Sequence, residues 1–202
     1  MPSIAITGGV ATGKSVARVF LEQQLETIAF SADREISQLL DHDPSVAQEL
    51  THAFGHHIYH GQEKADRVRL RAHLLENETS KKQIETILHH RLRSLWLTKA
   101  KQAQGKRKPV FLAEIPLLYE NDLAGYFDHV IVVAAYEKII LSRLTLERGL
   151  SIKAAAAFMQ LQLPLVEKIK RAHQVIWNDG SIPIFYKQLQ LALCSILKLS
   201  LV

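Results

Sequence analysis

The 202-residue chain has few cysteines, no long apolar run and no repetition, and each shortage narrows what it can be. Its one cysteine, Cys194, cannot close an internal disulfide, which suits a reducing compartment, and it reads as a small apolar residue of the last helix. The stretch QLQLALCSIL between Lys187 and Lys198 is too short, and too interrupted by Gln, to span a bilayer. A glycine loop starts at Gly8 with no basic segment or cleavage site before it, so no signal peptide is expected. There is no internal repeat, low-complexity tract or linker. The length is ordinary for one domain with insertions, and 48% hydrophobic residues are enough to bury a core. The expectation is a cytoplasmic globular protein without membrane partners, monomeric or weakly self-associating.

Charge is unevenly spread. Between Glu63 and Lys108 stand 13 Lys and Arg against 5 Asp and Glu, an excess of +8, whereas the net charge of the whole chain is only +5. Solvated helix faces are one reading of this excess, and a site for a polyanion is the other. The most basic stretch, KAKQAQGKRK at Lys99–Lys108, has no aromatic side chain to stack a base, so no nucleic-acid partner is expected.

Apolar runs at Ser3–Thr7, Thr27–Ser31, Val110–Ile115, His129–Ala134 and Gln174–Trp177 read as strands. The third and fourth are apolar throughout rather than alternating, as in central parallel strands covered on both faces. Helical spacing predicts helices from Lys14 to about Leu25, Glu137 to Glu147, Ile152 to Ala172 and Ile184 to Leu197. From Gln62 to Gln104 there is no Gly and no Pro, and Ile84, Ile87, Leu88, Leu92, Leu95 and Trp96 recur at helical intervals. Strands separated by helices imply an α/β fold, a parallel sheet flanked by helices. The long helical stretch reads as an insertion at the sheet's carboxyl edge, where ligands of such sheets bind.

The residues GGVATGKS at Gly8–Ser15 fit G-x-x-x-x-G-K-[ST] and lie between the first strand and the first helix. Backbone N–H groups from Gly9 through Val10, Ala11, Thr12 and Gly13 to Ser15 are placed to wrap phosphate oxygens at the positive end of a helix. Lys14 would reach the β- and γ-phosphates, and the Ser15 hydroxyl would ligate Mg²⁺. Asp33, just past the second strand, is a candidate proton acceptor or holder of a magnesium water; a helix N-cap is the alternative. Glu114 is a candidate acidic partner of Mg²⁺, or a plain strand-end carboxylate. Arg143 and Arg148 are candidates to clamp a transferring phosphoryl group, against a reading as surface arginines. His56, His57 and His60 have metal-like spacing, but they follow Gly55 in a loop without nearby Cys, and no metal site is assigned to them.

Together these stretches resemble the dephospho-CoA kinase family. The resemblance rests on TGGVATGKS, Ser31-Ala32-Asp33, Phe54-Gly55, Asp66–Leu70 and His89. It continues through IPLLYE at Ile115–Glu120, Phe127-Asp128, Arg143, Gly149–Ser151, Gln162, Lys168 and Val175–Asn178. It implies a P-loop kinase with a nucleotide-binding core (1–33, 109–136 and 173–202), a helical substrate-binding insertion (34–108) and a lid (137–172), one domain over 2–200. The implied reaction moves the γ-phosphoryl of ATP, with Mg²⁺, to the ribose 3′-hydroxyl of dephospho-CoA. Asp33 would be the base; Lys14, Arg143 and Arg148 would complete the catalytic set. Arg67 and Arg71, four apart on one helix face, would meet the substrate's pyrophosphate, and His89, Pro116, Leu117 and Leu118 would add substrate contacts. The chain departs from the family pattern at Val16, which follows the loop serine, and at Ser31, Ser37, Glu147, Phe158 and His173. A one-residue slip there would let Arg148 stand in for the lid arginine that aligns with Glu147. Another small-molecule P-loop kinase, or a nucleotide- or CoA-binding member with weak activity, is the alternative.

Overall fold

The computed structural model describes residues 2–24, 27–60, 64–105 and 110–198. The chain divides into two compact units, residues 1–30 with 102–202, and residues 31–101. In chain order the elements begin with β1 (Ser3–Gly8), α1 (Lys14–Gln24) and β2 (Thr27–Ser31). Next come α2 (Ala32–His42), α3 (Pro44–Phe54), β3 (Tyr59–His60), β4 (Lys64–Ala65), α4 (Arg67–Glu76) and α5 (Glu78–Gly105). The chain then forms β5 (Val110–Glu114), β6 (His129–Ala134), α6 (Glu137–Ser142) and a π-helical turn at Arg143–Glu147. It closes with α7 (Ile152–Gln160), α8 (Leu165–Lys170), β7 (Gln174–Trp177) and α9 (Ile182–Leu197).

In the first unit the sheet order is β2-β5-β1-β6-β7. β1 lies parallel to both β5 and β6, so that Ile6 faces Glu114 on one side and Ile131 on the other, and β7 runs parallel to β6. Every residue of β5, and all but the first of β1 and β6, is buried, as the unbroken apolar runs predict for strands covered on both faces. One face is closed by α1 and α9: Ala17, Leu21, Phe185 and Leu189 pack with Ile4, Ile6, Ile131 and Val133. A second cluster joins Val10 of the loop after β1 to Ile140, Leu144 and Ala155, with Leu165 against it. This order carries the ends of β1, β5, β6 and β7 to one edge, and with them Gly8, Glu114, Tyr136 and Asn178.

The second unit has its own core, where Leu39, Leu40, Val46, Leu50, Ile58, Leu70, Ile84 and Leu88 meet. The helical spacing of α5 is borne out, with Ile84, Leu88, Leu92 and Trp96 buried. The expected single helical stretch is interrupted twice. β4 pairs antiparallel with β3, and the Asp66 carboxylate then starts α4 by accepting from the N–H groups of Val68 and Arg69, both at 3.0 Å. Asn77 adopts an extended backbone, ends α4, and accepts from Ser80 N–H at 2.8 Å to open α5. The expected helix at 152–172 is likewise two helices, broken ahead of Pro164, because proline disfavours helical backbone in the residue before it. The last helix starts two residues earlier than its apolar spacing suggests, with Pro183 in its first turn, where a missing N–H costs nothing. Leu25, Gln62 and Glu63 lie outside the described residues. Among the described residues no helix is long and apolar enough to cross a membrane.

Candidate phosphate-binding site

The loop between β1 and α1 is shaped by contacts that glycine alone permits at two positions. Gly8 has φ 146°, and a Cβ there would sit 2.1 Å from the Val133 carbonyl oxygen. Gly13 has φ 97°, and its Cβ would fall 2.3 Å from Asn178 Nδ2. Ala11 occupies the left-handed region at φ 53°, unusual for a residue with a side chain and sustained only where the surroundings enforce it. Those surroundings are side-chain donors aimed at the loop's carbonyls. Lys14 Nζ donates to Gly9 O at 2.7 Å and Thr12 Oγ1 to the same oxygen at 2.9 Å. Arg143 Nη1 donates to Ala11 O at 3.0 Å, and Asn178 Nδ2 to Thr12 O at 2.9 Å. Lys168 Nζ lies 3.4 Å from Gly8 O. In a planar trans peptide the N–H points opposite to the C=O. Holding the carbonyls of residues 8, 9, 11 and 12 on protein donors therefore turns the amides of Gly9, Val10, Thr12 and Gly13 the other way. Together with the N-terminus of the 11-residue α1, this is an anion-binding cradle.

Beside the loop the Ser15 hydroxyl donates to Glu114 Oε1 at 2.6 Å, so the two expected metal-binding groups do meet. Glu114 is only 3% exposed, and its other oxygen accepts from Arg18 Nε at 3.0 Å. Arg18 also pairs with Glu22. Burial by itself would lower the Arg18 guanidinium, but its bonds to Glu22 and Glu114 outweigh that and hold it above its ordinary value. Spacing gave no sign of Arg18, since its partner lies 96 residues away.

Arg143 belongs to this site. Besides Ala11 O it reaches Asn178 O at 2.8 Å, so one guanidinium joins the loop to the end of β7. Arg148 is exposed and closes the π-helical turn that Arg143 opens. The Arg148 N–H bonds to Thr145 O, three residues back, so the five-residue bonding pattern ends before it. Pro116 turns its carbonyl onto Thr7 Oγ1 and Lys168 Nζ, both at 3.1 Å, while Leu118 is buried and Leu117 half-buried. Val16 is 40% exposed.

In the second unit Asp33 lies in the first turn of α2; Ser31, not Asp33, is the N-cap. The capping alternative for Asp33 is therefore set aside, and a carboxylate in a first helical turn is favourably placed against the helix dipole. Arg67 donates to Asp41 Oδ2 at 2.9 Å and Ser37 O at 3.2 Å, so it links α4 to α2. Arg69 bridges Asp66 and His57 O. The side chain of Arg71 lies outside the described residues. Burial pushes the half-buried His89 imidazole down from its ordinary value, against an opposing pull from Glu85, so it is a neutral hydrogen-bonding group at pH 7 rather than a cation. No metal-binding group of three His, Cys, Asp or Glu occurs among the described residues.

Sequence reasoning gave no role to Lys168, Glu120 or Asn178, although all three lie in the stretches that carry the resemblance. Lys168 had a local signal: in LVEKIK it follows Leu165 by three, a helical position where an apolar residue is the usual choice.

A family model described as dephospho-CoA kinase matches residues 3–183. A dephospho-CoA kinase of Bacillus cereus is 31% identical over 191 residues, 94% of each chain. One of Thermosynechococcus vestitus is 33% identical over 190 residues, 94% of this chain and 92% of the relative. Among solved structures, a dephospho-CoA kinase from Campylobacter jejuni superposes with a TM-score of 0.71 at 26% identity, covering 97% of both chains.

Gly13→Ala tests the cradle. The new methyl must displace the buried Asn178 amide and the backbone must hold φ 97° without glycine. The variant is expected to lose at least ~1 kcal/mol of unfolding free energy in urea and at least about tenfold in nucleotide affinity. Gly125→Ala, whose Cβ meets nothing within 4 Å, is the control and should change neither.

Proposed function

Because the chain belongs to the dephospho-CoA kinase family, we propose that it transfers the γ-phosphoryl group of ATP to the ribose 3′-hydroxyl of dephospho-CoA, producing coenzyme A. The match to the family model over residues 3–183 is the observation that carries the acceptor, and the loop at Gly8–Ser15 carries the donor. In the transfer the acceptor hydroxyl oxygen bonds to the γ-phosphorus, the bond from that phosphorus to the β–γ bridging oxygen breaks, and ADP leaves. Asp33 takes the hydroxyl proton. Lys14 and the amides of the loop bind the β- and γ-phosphates and stabilise charge where it accumulates on the bridge. Arg143 holds the loop and, with Arg148, supplies the cationic side of the site.

Ser15 Oγ and the Glu114 carboxylate are hard oxygen donors already in contact, which fits Mg²⁺, an ion that takes few protein ligands and completes its shell with water and phosphate oxygens. Bound with the nucleotide, Mg²⁺ would neutralise charge on the β- and γ-oxygens. On the acceptor side Arg67 and Arg71 are assigned to the pyrophosphate, and His89, Pro116, Leu117 and Leu118 to the remainder of the substrate.

Incubating the protein with Mg-ATP and dephospho-CoA should give coenzyme A at the rate at which ADP appears. Lys14→Ala should abolish this, and Asp33→Asn should lower turnover by about a hundredfold or more with little change in melting temperature. No coenzyme A from the folded wild type, or a nucleoside phosphorylated in its place, would contradict the reading.

The one-residue slip between Glu147 and Arg148 yields a separate expectation. Arg148→Ala should lower kcat by about tenfold or more, whereas Glu147→Ala should stay within about twofold of wild type. The reverse order would show that Arg148 does not serve as the second arginine of the site.

A further inference from the structure

Lys168 is wholly buried, at 0% exposure, and its ammonium is surrounded by oxygens from four residues in three segments of the first unit. It pairs with Glu120 Oε1 at 2.8 Å and reaches Pro116 O at 3.1 Å, Gly8 O at 3.4 Å and Gln162 Oε1 at 3.4 Å. Three N–H donors are thus shared among four acceptors. Glu120 Oε1 also accepts from Leu163 N–H at 2.9 Å, which fixes the turn between α7 and α8. Removing an ammonium from water is costly, and its carboxylate partner Glu120 still reaches solvent, so the pairing offsets that cost only in part. Stability is therefore a weak reason for a lysine here. What a methylene chain lacks is the ability to hold carbonyl oxygens in place.

We propose that Lys168 is a positioning residue for the phosphate loop, tying α8 and the α7–α8 turn to the first peptide of that loop so that they act as one body. Gly8 O is the carbonyl whose fixation orients the Gly9 amide. Pro116 O is the second anchor; it also receives Thr7 Oγ1, so the ammonium joins the ends of β1 and β5. The neighbouring turn of α8 bears on the loop too: a Cβ on Gly9 would lie 3.8 Å from the Leu165 methyl carbons. Helix α8 thus touches the first two loop residues through two side chains, Leu165 by packing and Lys168 by charge.

The inference rests on the reading of this loop as the ATP site, and a direct binding measurement keeps the two apart. ATP affinity is measured by calorimetry without acceptor for the wild type, Lys168→Met and the double variant Glu120→Gln/Lys168→Met, with melting temperatures alongside. The double variant replaces the ion pair by neutral side chains of similar volume, so it folds where Lys168→Met alone leaves Glu120 unpaired. Both variants are expected to bind ATP about tenfold or more weakly than the wild type. The double variant should regain the melting temperature lost in the single one, and the KM for dephospho-CoA should stay within about twofold. Recovery of wild-type ATP affinity in the double variant would reduce Lys168 to a counter-ion for Glu120 and overturn the proposal, as would unchanged ATP affinity in both variants. Failure of the wild type to bind ATP would overturn the reading of the loop itself.

Discussion

The site depends on the capture of the loop carbonyls at residues 8, 11 and 12 by side chains from elsewhere in the chain. A free chain of this sequence has no reason to keep Ala11 at φ 53° or to align successive amides, since doing so costs backbone entropy and strain. Arg143, Asn178 and Lys168 make the arrangement persist, and each comes from a segment more than a hundred residues later. They reach the loop because β1 is flanked by β5 and β6, with β7 beyond, all running the same way. The parallel order collects the strand ends at one edge, and the loop is moulded against what gathers there.

That dependence explains which features were legible in the sequence. Elements whose cause is local could be read: the apolar runs of β1, β5 and β6, the glycines at 8 and 13, and the period of α5. Boundaries set by single polar side chains could not. Asp66 and Asn77 divide the second unit's helical stretch by accepting backbone N–H groups, and apolar spacing does not register a cap. Pro164 was visible, yet the periodicity of 152–172 continues across it. Of the site, the loop motif was anticipated, and Ser15 and Glu114 were each read as candidate Mg²⁺ groups, but the β1–β5 pairing that brings them together was not foreseen. Arg18 and the Lys168–Glu120 pair were not assigned, since each joins segments whose contact only the folded topology creates. Arg67 was read as a phosphate ligand, and the fold also gives it Asp41.

The departures from the family pattern have structural settings that absorb them. His173, where the resemblance would place an aspartate, acts as an acceptor, taking Val130 N–H on Nδ1 at 3.0 Å while its backbone N–H donates to Val130 O. Phe158, where the resemblance would place an arginine, packs against the Val10–Leu144 cluster. Ser31 caps α2 without a side-chain bond, and Ser37 offers its carbonyl to Arg67. Val16, the third residue of α1, leaves its methyl groups partly exposed where the resemblance would place a hydroxyl. None of these positions supplies a donor to the loop carbonyls of residues 8, 11 and 12, which are held by Lys168, Arg143 and Asn178.

The central claim is that the phosphate loop is held in its binding form before the nucleotide arrives. Crystal structures of the protein without ligand and with ADP test it most directly. The account predicts that Gly8–Ser15 superpose within about 1 Å, with the Gly8, Ala11 and Thr12 carbonyls on Lys168, Arg143 and Asn178 in both. A ligand-free loop that opens away from these donors, and closes onto them only with ADP, would contradict it.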